Sequence, residues 1–204
     1  MNIFFLSRTD DLNIELNKVI GEEIVKRGGR VAYISSEPQN SDRPYYLSTI
    51  QDYKAINESI NVDYFDLSQN FSDEDLNKLA KYSTVYLSGG NTYTFLDSAN
   101  KRGLKEILKK VLDNGGLLIG ASAGSLMMTP TIDLAYGCDE NVIGLQDTRG
   151  FGFVSFEFHP HYTEEDNNFL SNYKTKNTVY LCRDGDGIFV SNNQVKMFGD
   201  ISEL

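Results

Sequence analysis

Five short apolar runs, at residues 3–6, 31–34, 62–65, 84–87 and 117–119, are separated by amphipathic stretches at 11–27, 43–59, 72–82 and 101–114. Runs this short satisfy their backbone groups only by pairing side by side, and the helical stretches between them must then cross over one face or the other. The rhythm predicts an α/β fold, a three-layer sandwich with a mostly parallel central sheet. Gly28-Gly29 and Gly115-Gly116 stand just ahead of two of the runs, where a helix must stop and the chain turn back.

From about Phe151 the pattern changes. Val154-Ser155-Phe156-Glu157-Phe158 reads as a strand and is followed by a polar helical stretch, then by strands at 178–182, 187–191 and 194–198. The last two are joined through Asn192-Asn193, which predicts a C-terminal β-hairpin. No repeat or linker divides the 204 residues, so one α/β domain spanning 1–204 is expected, large enough to need no disulfide staple.

The formal net charge is -10, which repels phosphates and argues against nucleic acid or an anionic membrane as partner. Short peptides or other small molecules fit better, and a homodimer is compatible with the composition. The opening Met1-Asn2-Ile3-Phe4-Phe5-Leu6-Ser7-Arg8 lacks a basic leader, and no run is long enough to span a bilayer, so a cytoplasmic protein is expected. Cys138 and Cys182 have no metal-type spacing and read as reduced thiols.

The fifth run leads into Gly120-Ala121-Ser122-Ala123-Gly124-Ser125, a Gly-x-Ser-x-Gly sequence between a strand and a helix-compatible stretch. This is the pattern of a nucleophile elbow, in which small neighbours let strand and helix approach closely while a strained turn lifts the serine above the sheet. The amide of Ala123, at the helix N-terminus, is then free to stabilise an oxyanion. The bland alternative is a small-residue corner, or a phosphate cradle.

A serine nucleophile needs a base, and the chain has only two histidines, His159 and His161, in Phe158-His159-Pro160-His161-Tyr162. The residues alone do not choose between them. Nor do they choose the acid: Asp133, Asp139, Glu140, Asp147 and Glu157 all lie between Ser122 and His161. A second oxyanion donor fits Leu87-Ser88-Gly89-Gly90-Asn91-Thr92, where Gly89 and Gly90 follow a predicted strand. A two-histidine metal site with Glu157 or Glu164 is a further reading, as is a pocket that binds a metabolite without turning it over.

Taken together, Ser88-Gly89-Gly90-Asn91-Thr92, Gly120-Ala121-Ser122-Ala123-Gly124-Ser125 and Pro160-His161-Tyr162 resemble the dipeptidase E and cyanophycinase-like serine peptidases, family S51, over nearly the whole chain. The resemblance implies a class I glutamine amidotransferase-like fold and hydrolysis of short peptides by a Ser-His-Asp triad without a cofactor or metal. It implies Ser122 as nucleophile and His161 as base. The family's acidic partner, counted back from His161, falls on Asp139, with Asp133 as the alternative if a small insertion is placed differently. Gly89 or Gly90, with Ala123, would form the oxyanion hole.

Dipeptidase E prefers an N-terminal aspartate, a preference attributed to a basic residue in the loop after its histidine. Here that loop reads Thr163-Glu164-Glu165-Asp166-Asn167-Asn168, so a carboxylate-selective pocket is not expected; the acidic loop would favour a free amino terminus or a basic side chain. An α/β-hydrolase esterase fits less well, because no upstream histidine supplies its oxyanion loop. A glutamine amidotransferase would need cysteine at position 122.

Overall fold

The computed structural model describes residues 1–35, 43–67 and 72–204. Each predicted apolar run becomes a strand: β1 (Asn2–Leu6), β2 (Arg30–Ser35), β3 (Asn61–Asp66), β4 (Thr84–Leu87) and β5 (Leu117–Ala121). They pair in parallel in the order β3-β2-β4-β5-β1. The predicted hairpin is present as β8 (Gly187–Ser191) and β9 (Gln194–Phe198). Asn192 and Asn193 turn it with φ of 50° and 61°, the pair of left-handed residues that a tight hairpin with right-twisted strands demands. β8 runs antiparallel beside β1, so the sheet has seven strands and β1 lies inside it.

The helices cover both faces. α1 (Ile14–Lys26) begins where the Asn13 side chain accepts from the amides of Glu15 and Leu16, and α2 (Pro44–Ile56) begins on a proline whose fixed φ suits a first helical turn. Leu16, Ile20 and Ile24 of α1 and Tyr53 of α2 bury one face of the sheet against Phe4, Leu6 and Ile119. Against the other face lie α3 (Asp73–Leu79), α4 (Thr92–Lys101), α5 (Leu104–Asp113) and α6 (Ala123–Met128). The sandwich and its parallel core are therefore as the periodicity predicts.

Three features differ from that reading. The helical stretch at 101–114 is the second of two helices, broken at Gly103, whose φ of 63° no helix interior accommodates. The helix before it, α4, follows a Gly-Gly turn that hides its start. The strand expected at 154–158 is β6 (Glu157–His159), and it does not join the main sheet. It pairs in parallel with β7 (Val179–Cys182), which also pairs with β10 (Ile201–Glu203), forming a separate three-stranded sheet. That small sheet packs on the α4–α6 face through Phe156 and Phe158, which meet Phe5 of β1 at 5.1 and 5.7 Å between ring centroids.

Candidate active site

The elbow is built by close packing. Ser122 has φ 50° and ψ -112°, a backbone conformation that costs on the order of 1–3 kcal/mol for a non-glycine residue. Its amide donates to the Leu6 carbonyl at 2.9 Å, and its carbonyl accepts from Ser125 and Leu126 at 2.9 and 3.0 Å. Ser125, fully buried, locks the same corner: Oγ accepts from the Leu6 amide at 3.0 Å and donates to the Gly120 carbonyl, 2.8 Å away. A Cβ on Gly124 would stand 2.3 Å from the Leu87 carbonyl oxygen, and one on Gly120 would stand 2.7 Å from Gly124. The requirement for small residues on both sides of the serine is thus met by contact with backbone that cannot move aside.

Ser122 Oγ lies 2.8 Å from His161 Nε2, and His161 Nδ1 lies 2.6 Å from Asp184 Oδ1. The three side chains form one hydrogen-bonded series. His161 stands two positions past the end of β6 and Asp184 two positions past the end of β7. These strands are in-register parallel neighbours, with His159 opposite Leu181. The amide of Tyr162 donates to the Cys182 carbonyl at 3.1 Å and holds the two strand ends together. His161 has φ 59°, so it, like Ser122, sits on strained backbone.

Asp139 is not in this series. Its Oδ2 accepts from the Thr92 amide at 2.8 Å and from Thr92 Oγ1 at 2.5 Å, satisfying the open N-terminus of α4. None of the remaining sequence candidates is hydrogen-bonded to His161 either. Asp147 pairs with Arg149, Glu140 offers its carbonyl to Asn91 Nδ2, and Asp133 opens a short 3-10 turn. Glu157 is buried and accepts from Tyr173, Thr175 and Asn177. The place beside His161 expected for Asp139, or alternatively for Asp133, is held by Asp184, which lies beyond the histidine in the chain. Asp184 follows a predicted strand and precedes a glycine, and that position was the available signal.

Gly89 and Gly90 come to the serine: a Cβ on Gly89 would be 3.7 Å from Ser122 Cβ, and Gly90 holds a φ of 127°. Both glycines line, with Ser122 and His161, a cavity of about 610 Å³ at the carboxyl ends of β1, β2, β4 and β5. Its floor is aromatic, with Tyr33 and Tyr86 stacked at 5.1 Å, and Arg8, Asp10 and Tyr45 are among its walls. Burial holds the Tyr86 phenol well above its ordinary range, so it stays a neutral hydrogen-bonding group. The acidic loop does not line this cavity: Glu164 pairs with Arg183, and Asp166 accepts from the Thr163 amide at 2.8 Å.

His159 is fully buried, and neither ring nitrogen has a hydrogen-bond partner among the described residues; Asp166 stands 3.5 Å from Nε2, an electrostatic contact only. Burial pushes its pKa down, so the ring is a neutral core group against Phe169 and Tyr162. Among the described residues no group of three or more His, Cys, Asp or Glu side chains is arranged to hold a metal ion. Cys138 and Cys182 are unpaired, and burial raises both thiols, which leaves them poor nucleophiles. Among the described residues no helix is long and apolar enough to cross a membrane.

Comparison with known proteins bears on the family and the fold. The model of peptidase family S51 matches residues 6–198. An uncharacterized peptidase of Pasteurella multocida is 34% identical over 50% of this chain and 50% of its own length. Peptidase E of Streptomyces coelicolor is 30% identical over 46% of this chain and 37% of its own length. The matches thus span about half, or less, of these relatives. A crystal structure of a Listeria monocytogenes protein assigned to peptidase E superposes with a TM-score of 0.80 at 21% identity, covering 96% of both chains. One from an acI-B1 Actinobacterium, titled a peptidase, superposes at 0.65 with 15% identity, covering 100% of this chain and 93% of its own. The three-layer sandwich is accordingly of the glutamine amidotransferase-like kind.

Proposed function

Because the chain belongs to peptidase family S51, we propose that it is a serine-type peptidase that hydrolyses short peptides through an acyl-enzyme on Ser122. The observation that carries this reading is the continuous series Ser122 Oγ to His161 Nε2 to Asp184, with links of 2.8 and 2.6 Å. As Oγ attacks the peptide carbonyl, its proton passes to Nε2, and the imidazolium is stabilised by the Asp184 carboxylate on Nδ1–H. The oxyanion would be met by the amide of Ala123 and by the Gly89-Gly90 turn, which lies against the serine. The imidazolium then protonates the leaving amine, and water activated by the same ring releases the acyl group. No metal or cofactor enters these steps. A cytoplasmic location accompanies the proposal.

The test is fluorophosphonate labelling of wild type and Ser122→Ala, read by intact mass and followed by hydrolysis of a dipeptide panel. A single adduct on wild type that the variant lacks, with peptide turnover falling roughly a million-fold in the variant, is the expected result. Labelling or hydrolysis that survives in a folded Ser122→Ala protein sinks the assignment.

A further inference from the structure

The β1–α1 turn supplies a hydroxyl that touches both partners of the nucleophile without touching the nucleophile itself. Ser7 is fully buried, and its Oγ lies 2.7 Å from the His161 amide nitrogen and 2.9 Å from Asp184 Oδ1. The polarity of this bridge is fixed. A backbone N–H can only donate, so the hydroxyl accepts from His161 and its single proton is left for the carboxylate. The oxygen that receives this proton, Asp184 Oδ1, is the same one that faces His161 Nδ1. The residue before it, Leu6, accepts from the Ser122 amide and donates to Ser125 Oγ.

We propose that Ser7 is a positioning residue for hydrolysis, holding the strained His161 backbone and the Asp184 carboxylate in register with the elbow. The inference rests on the reading of His161 as the base for Ser122. The hydroxyl is what fits: one lone pair caps the amide of a residue at φ 59°, and one proton orders the carboxylate. Nucleophile and base belong to different sheets, and Ser7 is a polar link between them one residue from the anchor of the elbow. Without it the imidazole loses both its backbone tether and the fixed orientation of its acid.

Ser7→Ala, Ser7→Thr and Ser7→Val test this by two readouts. Fluorophosphonate labelling of Ser122 is expected to slow about 10- to 100-fold in Ser7→Ala, the cost of roughly an ångström of misplacement. Thr should recover most of the rate and its isostere Val should not, so a difference between these two reports the hydroxyl even if shape alone disturbs the site. In proton NMR the Nδ1–H of His161, identified by its loss in Asp184→Ala, should broaden or move upfield in Ser7→Ala and return in Ser7→Thr. An unchanged resonance together with an unchanged labelling rate in Ser7→Ala overturns the proposal. The resonance needs no turnover, so it still decides the role of Ser7 if wild type proves unable to label, an outcome that would instead remove the acyl-enzyme reading.

Discussion

Asp184 faces His161 from 23 positions further along the chain, and the two hold equivalent places at the ends of adjacent parallel strands. If this carboxylate selects the tautomer with the proton on Nδ1, replacing it with an amide leaves the shape and removes the function. Asp184→Asn is expected to lower Ser122-dependent hydrolysis about 1,000- to 10,000-fold. Asp139→Ala is the control. It removes the cap on Thr92 and should cost about 1 kcal/mol of stability, measured by urea denaturation, with turnover near wild type. The reverse pattern, a large catalytic loss at Asp139 and none at Asp184, would restore the acid expected from the sequence.

Gly124→Ala should damage the fold before the chemistry. The new Cβ would meet the Leu87 carbonyl carbon at 2.7 Å and its oxygen at 2.3 Å, and strand backbone cannot yield as a side chain can. A loss of at least about 2 kcal/mol is expected, read as a lower denaturation midpoint at unchanged slope.

His159 predicts a dependence of stability on acidity. Burial lowers its pKa in the folded protein, so below about pH 6.5 the unfolded chain binds a proton that the native state refuses. Stability is therefore retained above that value and lost as the pH falls from it toward the depressed native pKa. Comparing wild type with His159→Phe between about pH 5 and pH 7 isolates the effect. The wild type should lose more stability over that range, and equal losses would mean the ring is protonated in the fold.

The strand runs and the elbow motif are legible because each is written in a few contiguous residues. Five apolar runs fix five strands, and the glycines at 120 and 124 are required by contacts only a few residues away in space from the serine they flank. The second sheet is less legible, since β6, β7 and β10 are short and their partners are separated by loops. Asp184 is lost with it. The acids between Ser122 and His161 are nearer in the chain, whereas the carboxylate that meets His161 comes from just past the end of the strand that pairs with β6. Asp139 is acidic for a reason with no bearing on the imidazole, the exposed amides at the start of α4. The loop at Glu164 to Asp166 is similarly spent on Arg183 and on its own turn rather than on a substrate.

The seating of the small sheet on the large one sets a reach. Ser122 travels with β5 in one sheet, while His161 and Asp184 travel with β6 and β7 in the other, and the rings of Phe5, Phe156 and Phe158 are wedged between them. The 2.8 Å gap between Ser122 Oγ and His161 Nε2 is thus a dimension of the hydrophobic interior. Trimming one of those rings would act as a change of focal length, leaving every reactive group intact and the image out of focus.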